Sequence, residues 1–221
     1  MNNQQRLQGL YTITNEALLP AAQLIPAVEK AIAGGSRIIQ FRDKTSVPLM
    51  RKQLAQALRT LCTRTQTLFI VNDDIELALE IQADGVHLGK DDSRLLVARE
   101  RLGSDSIIGI SCYNQFDLAV SAEKAGADYV AFGSFYQSAI KPDAVQADSR
   151  LLINAAKHLH IPAVAIGGIT PENAPQLIDA GADMLAVISA VFAQTDIEAS
   201  ARQFSGLFSD KQSFSKTRSQ R

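Results

Sequence analysis

Two aspartates and a group of basic residues are the side chains best suited to polyphosphate chemistry in this 221-residue chain. Asp73 stands in Asn72-Asp73-Asp74 and Asp92 in Lys90-Asp91-Asp92. Arg42 and Lys44 stand in Gln40-Phe41-Arg42-Asp43-Lys44, and Lys141 follows Ser138-Ala139-Ile140. Mg2+ prefers oxygen ligands and usually takes one or two carboxylates, with substrate phosphates completing its shell. Lys and Arg then neutralise the charge the metal leaves on a diphosphate. A magnesium–polyphosphate site would use all of these residues. The competing explanation is a solvated ring of helix caps, because Asp74, Asp92 and Ser93 are all good N-cap residues. A second anion site is suggested by Gly167-Gly168-Ile169-Thr170 with Ile188-Ser189. Glycine admits close approach of backbone N–H groups to phosphate oxygens. A simple turn with Pro171 opening the next helix accounts for Thr170-Pro171 but leaves the paired glycines unexplained.

What is missing narrows the chemistry further. Of the three histidines, His158 and His160 precede a strand, and His87 lies within one, where a hydrogen-bonded core histidine is the expected reading. There is no GxSxG, and neither Cys62 nor Cys112 has an evident histidine partner. A reaction needing little proton transfer suits this inventory.

These residues must be carried by the elements around them. Apolar strand-like runs at 10–14, 37–42, 68–72, 84–89, 106–111, 128–133, 161–168 and 183–189 are each followed by helical sequence, giving eight strand–helix pairs. The spacing of Leu95, Leu96, Ala98 and Leu102, and of Leu118, Ala119, Ala122 and Ala125, is that of amphipathic helices. Alternating strands and helices imply parallel pairing, and continuously apolar strands imply a sheet covered on both faces. The strand starts at Gly35-Ser36-Arg37, Ala83-Asp84-Gly85, Gly126-Ala127-Asp128 and Gly181-Ala182-Asp183 look alike and recur every second unit. Alternate strands contributing equivalent layers would give this repeat, so the expected fold is an α/β (β/α)8 TIM barrel, a single domain over 1–208. A doubly wound open sheet is the alternative, weakened by the absence of GxGxxG after the first strand. Chemistry in such barrels sits at the carboxyl ends of the strands, which gathers Arg42, Lys44, Asp73, Asp92, Ser111 and Lys141 on one rim. The loops after strands seven and eight often form a phosphate cradle. Residues 209–221 are polar and mildly basic, and read as a disordered tail.

The composition agrees with a soluble, intracellular globular protein. With 22 Lys+Arg against 23 Asp+Glu the chain has a net charge of −1, which speaks against a nucleic-acid-binding surface. Two cysteines make no disulfide framework and no metal-ligand pair, as expected of reduced thiols in a cytoplasmic protein. No apolar run is long enough to span a membrane, and the first fifteen residues lack the apolar core of a secretory signal. The sequence allows a homo-oligomer without requiring one.

In QFRDK (40–44), NDD (72–74), DGVHLGKDD (84–92), GISC (109–112), the loop ending in Lys141, AIGGI (165–169) and AVIS (186–189), the chain resembles the thiamine phosphate synthase family from about Gly9 to Ala193. Each motif is weak alone, but their order and spacing are specific. The resemblance implies displacement of diphosphate from a hydroxymethylpyrimidine diphosphate by the thiazole nitrogen of a hydroxyethylthiazole phosphate, through a dissociated pyrimidine carbocation. It implies that Gln40, Phe41, Arg42, Asp43 and Lys44, with Asn72, Ser111 and Lys141, hold the pyrimidine diphosphate. Among these, Arg42, Lys44, Ser111 and Lys141 would act in catalysis. Asp73 and Asp92 would ligate Mg2+, and Gly168, Ile188, Ser189 and the loop of Ser138, Ala139 and Ile140 would take the thiazole phosphate. The chain departs from the family pattern at Ser138-Ala139-Ile140-Lys141, where Thr-x-Thr-Lys is usual, at Lys90 in place of Gln, and at Asn114 in place of His. A thiazole tautomerase-like paralogue and a non-catalytic phosphometabolite-binding barrel are the alternatives. Retention of both aspartates favours the synthase, because tautomerisation leaves no diphosphate to neutralise.

Overall fold

The computed structural model describes residues 6–89, 92–137 and 145–218, with side chains for all but 92, 93 and 209–218. Along the chain run β1 (Gly9–Ile13), α1 (Ala21–Ala33), β2 (Ile38–Phe41), α2 (Pro48–Thr65), β3 (Leu68–Asn72), α3 (Ile75–Glu80), β4 (Gly85–Leu88) and α4 (Asp92–Leu102). They are followed by β5 (Ile107–Tyr113), α5 (Phe116–Lys124), β6 (Tyr129–Gly133), α6 (Arg150–His158), β7 (Ala163–Ile166), α7 (Ala174–Asp179), β8 (Met184–Val187), α8 (Ser189–Phe192) and α9 (Ile197–Arg218). All neighbouring strands pair in parallel, and β8 returns to β1 with Gly9 opposite Met184 and Thr12 opposite Val187. Closure removes both sheet edges, which excludes the open doubly wound alternative. The chain is a (β/α)8 barrel.

Period-two alternation along each strand sorts the side chains into two separate cores. Tyr11, Ile13, Ile38, Leu68, Ile70, Ile107, Tyr129, Val164, Met184 and Ala186 point inward and pack together inside the barrel. Leu10, Ile39, Phe41, Phe69, Val86, Ile108, Val130, Phe132 and Leu185 point outward and meet the helices. In α1 the buried face is Leu24, Ala27, Val28 and Ala31, the spacing of one helical stripe. In α4, Leu95 and Ala98 are fully buried, but Leu96, read above as part of the same face, is exposed. Its neighbour Leu95 already fills the stripe, and consecutive residues on a helix point about 100° apart. Pro171 does not open the helix after β7 as expected; residues 171–173 turn first, and α7 starts at Ala174 with Pro175 in its opening turn. The backbone of α9 is helical as far as Arg218, past the point where composition sets off the polar segment 209–221.

The recurring strand-start motif has a structural cause. The Asp84 carboxylate accepts from the backbone N–H of Phe69 at 2.8 Å, Asp128 from Ile108 at 2.8 Å and Asp183 from Ala163 at 2.9 Å. Each aspartate also donates its own N–H back to the same neighbouring residue's carbonyl. The aspartate before each of β4, β6 and β8 thus clamps the start of the preceding strand. Arg37 makes the equivalent backbone bond to Leu10, without a carboxylate. Arg59 and Arg99 pair with Asp84 and Asp128 at 2.9 and 2.7 Å, so two clamps also tie a helix to the barrel. Both cysteines are buried, and burial, with help from nearby Asp84, pushes the Cys62 thiol up to about 12. Such a thiol is no nucleophile at neutral pH. Among the described residues no helix is long and apolar enough to cross a membrane.

Asp128→Ala removes the acceptor for a strand-end N–H and the partner of Arg99. Chemical denaturation should show a loss of about 1–3 kcal/mol, the cost of leaving such groups unpaired. A change below 0.5 kcal/mol, the scale of an ordinary surface substitution, would contradict the clamp.

Candidate active site

The carboxyl ends of the strands open into a cavity of about 670 Å3, a size typical of small-ligand sites. Its floor is a chain of polar side chains standing on the inward positions of five strands. Gln40 Nε2 donates to the Tyr11 hydroxyl at 2.6 Å, which lies 2.8 Å from the Tyr129 hydroxyl. Tyr129 is 3.0 Å from His87 Nδ1, and His87 Nε2 is 2.9 Å from Ser111 Oγ. The His87 and Tyr129 rings stack with centroids 5.5 Å apart, and Tyr11 meets Tyr129 edge-on. Tyr129 fits because the inward position beside it on β5 is Gly109, where a Cβ would come within 2.0 Å of the phenol ring. Burial holds both phenols well above the usual tyrosine range, so each keeps its proton.

Above the floor, β1 continues into a clamp on the end of β2. Thr14 Oγ1 accepts from the Arg42 N–H at 2.9 Å and donates to the Arg42 carbonyl at 3.1 Å. Glu16 accepts from the Lys44 N–H at 3.2 Å, and its buried second oxygen lies 3.8 Å from the Arg42 guanidinium. Asp43 closes the turn by accepting from the Thr45 and Ser46 N–H groups. Burial alone would raise its pKa, but those bonds and nearby Arg51 outweigh it and hold the carboxyl below the usual carboxylate range. Arg42 therefore faces the cavity with Gln40, Asn72, His87 and Ser111, while Asp43 shapes the loop that carries Lys44. Phe41 is not brought to this mouth: its side chain points to the opposite face of the sheet and is 2% exposed among the helices.

Beside the cavity lies an open shelf, joined to it by Asn72 and lined by Lys44, Arg51, Asp73, Asp74 and Arg94. The two neighbouring aspartates do different things. Asp74 caps α3, accepting from the Leu77 N–H at 3.0 Å, and pairs with Arg51 at 3.1 Å. Asp73 caps nothing. Its backbone is left-handed at φ 62°, its side chain is 40% exposed, and Lys44 and Arg94 stand 3.6 and 4.0 Å from its oxygens. Asn72 donates to it at 2.8 Å, and Arg94 grips its carbonyl. The cap explanation holds for Asp74, one of the residues it was offered for, and Asp73 has no part in it. Asp92 opens α4 on the next strand–helix connection, but its side chain lies outside the described residues. No cluster of three or more metal-binding side chains occurs among the described residues. An exposed carboxylate among cations, free of capping duty, nevertheless fits Mg2+ that takes its remaining ligands from phosphates.

Across the cavity stand Gly167, Gly168, Ile188 and Ser189. Both glycines have positive φ, and a Cβ on either would strike the chain after β6: Ser134 Oγ at 1.9 Å for Gly167, and the Gln137 carbonyl at 2.4 Å for Gly168. Close packing of two loops therefore demands them, in addition to any phosphate. Asn173 locks the turn by donating to the Gly168 carbonyl and accepting from the Thr170 N–H. Ser138, Ala139, Ile140 and Lys141 lie outside the described residues, as does Lys90; the flanking Gln137 and Val145 both line the cavity. Asn114 bonds the Gln146 carbonyl at 3.4 Å, close to the end of that loop. Sequence reasoning missed Tyr11, Tyr129, Glu16 and Arg94. The tyrosines carried a signal, since both stand at inward positions of strands and need polar partners when buried.

Known proteins resemble this chain in sequence and in fold. A family model described as thiamine monophosphate synthase matches residues 10–191. A thiamine-phosphate synthase of Alcanivorax borkumensis is 50% identical over 211 residues, covering 94% of this chain and 97% of the relative. One from Thioalkalivibrio sulfidiphilus is 50% identical over 92% of this chain and 97% of its own length. The solved thiamine phosphate pyrophosphorylase of Pyrococcus furiosus superposes with a TM-score of 0.84 at 33% identity, covering 95% of this chain and 98% of that one. With a family model spanning most of its length and relatives half identical over nearly theirs, the chain belongs to the thiamine monophosphate synthase family.

Proposed function

We propose that the protein is a thiamine phosphate synthase, joining a hydroxymethylpyrimidine diphosphate to a hydroxyethylthiazole phosphate with release of diphosphate. The observation that carries this reading is the convergence of Gln40, Arg42, Asn72 and Ser111 with Gly168, Ile188 and Ser189 on one cavity whose rim holds Asp73 and Lys44. The C–O bond to diphosphate breaks with its electron pair on the leaving group, and the thiazole nitrogen supplies a lone pair to the carbon left behind. No proton is removed from the nucleophile, so the reaction asks no general base of the cavity, and the His87–Ser111 pair is left to orient substrate.

Asp73 and Asp92 would hold Mg2+, which when bound offsets charge on the departing diphosphate. Arg42, Lys44 and Lys141 do the same work from the protein side, and Thr14, Glu16 and the Asp43 turn hold the backbone of the first two in place before substrate arrives. Gln40, Asn72 and Ser111 orient the pyrimidine half. Gly168, Ile188 and Ser189 receive the thiazole phosphate, with Ser138 and loop backbone standing in for the hydroxyl that Ile140 lacks. Fixing both halves across one cavity supplies the positional part of the rate enhancement.

The direct test is incubation with both substrates and Mg2+, reading diphosphate and thiamine phosphate. Equal, stoichiometric formation of both products is expected. Diphosphate released at the same rate without the thiazole phosphate, or no turnover at all, would overturn the assignment. Asp73→Ala and Asp92→Ala should each abolish most turnover, with the double variant little worse than either, because each dismantles one site. Full activity in EDTA would sink the metal assignment. Ile140→Thr should lower KM for the thiazole phosphate by roughly tenfold, the worth of one hydrogen bond to a charged group, and leave the pyrimidine KM nearly unchanged. An unchanged thiazole KM would take residue 140 out of the phosphate site.

A further inference from the structure

With the amide nitrogen of Gln40 turned to Tyr11, the hydrogen bonds across the cavity floor run in one direction. The Gln40 amide nitrogen is a donor only, so the Tyr11 hydroxyl accepts from it. A hydroxyl has a single proton, and Tyr11 is 1% exposed with Tyr129 as its other described partner. Were Tyr129 the donor of that pair, Tyr11 would accept twice and its own proton would face no described acceptor. Tyr11 therefore donates to Tyr129. Tyr129 is completely buried and in turn has one proton, which goes to His87 Nδ1 at 3.0 Å. Nδ1 is then an acceptor, Nε2 carries the ring proton, and that N–H donates to Ser111 Oγ at 2.9 Å. Ser111 has accepted once and keeps its own proton. Gln40, Tyr11, His87 and Ser111 line the cavity, whereas Tyr129 does not.

We propose that Tyr129 is a positioning residue: through this one-way relay it fixes His87 as the neutral Nε2–H tautomer and frees the Ser111 hydroxyl proton for an acceptor atom of the pyrimidine substrate. The proposal rests on the reading of this cavity as the substrate site. Its consequence is that a residue out of reach of substrate sets which hydrogen-bonding face the site presents. Reversal of the relay would turn Ser111 inward as a donor to His87 and offer substrate a lone pair instead.

The test uses the full-length protein labelled with 15N-histidine, without substrate, with the His87 signals identified by their loss in His87→Gln. The wild type should show one fixed neutral tautomer, protonated at Nε2 and accepting at Nδ1, unlike free imidazole, which interchanges both. A proton on Nδ1, or on both nitrogens, would overturn the relay, and this needs no variant to fold. In Tyr129→Phe, which keeps the ring, the fixed tautomer should be lost. There kcat/KM for the pyrimidine diphosphate should fall by about tenfold, the scale of one lost hydrogen bond, while KM for the thiazole phosphate holds. His87 signals in Tyr129→Phe that superimpose on the wild type would contradict the proposal. Because the spectra need no substrate, a protein that shows the relay but makes no thiamine phosphate would fail the functional reading alone.

Discussion

Closing eight parallel strands into a ring forces every second side chain into a space that only side chains can fill. That constraint governs the rest of the molecule. Toward the amino ends the inward positions are apolar, with Ile38, Leu68, Ile107 and Met184 packing the interior. Further along, the same alternation delivers Gln40, Asn72, His87 and Ser111, and the barrel changes from packed core to binding cavity. Tyr11 and Tyr129 mark the boundary, with rings in the core and hydroxyls in the polar network. Gly109 lets the larger of these demands be met, since any side chain there would collide with Tyr129.

The mouth divides its labour by charge. Burial keeps both phenols of the floor protonated, and the floor's specificity lies in the sense of its hydrogen bonds. The rim is ionic, and the pairs around Asp73 are loose: Lys44 and Arg94 stand 3.6 and 4.0 Å from it rather than in tight contact. Exposed pairs at such distances add little to stability. They leave an arrangement of charge open to a polyanion and a metal, and the tight bonds go instead to the backbone that carries it, as at Thr14–Arg42.

The barrel was legible because it repeats. Strand–helix alternation and the aspartate before each of β4, β6 and β8 survive in the sequence as period and motif, and the structure explains that motif as a strand clamp. The rim residues were legible because strand ends define it. Phe41 shows where adjacency misleads: it sits between Gln40 and Arg42, yet the pleat turns it to the helices. Tyr11 and Tyr129 were hidden because an aromatic in a strand reads as core, and only the three-dimensional juxtaposition of their hydroxyls reveals the network. Glu16 and Arg94 act from loop and helix positions that no strand pattern flags.

The central claim is that Asp73 and its cations form the diphosphate end of one cavity. Crystals grown with Mn2+ and inorganic diphosphate test it most directly, because manganese is located by its anomalous scattering. A manganese peak beside the Asp73 carboxylate is expected, with Lys44 and Arg42 turned to the diphosphate next to it. Manganese and diphosphate bound away from Asp73, or diphosphate seated against Gly168 and Ser189 instead, would contradict it.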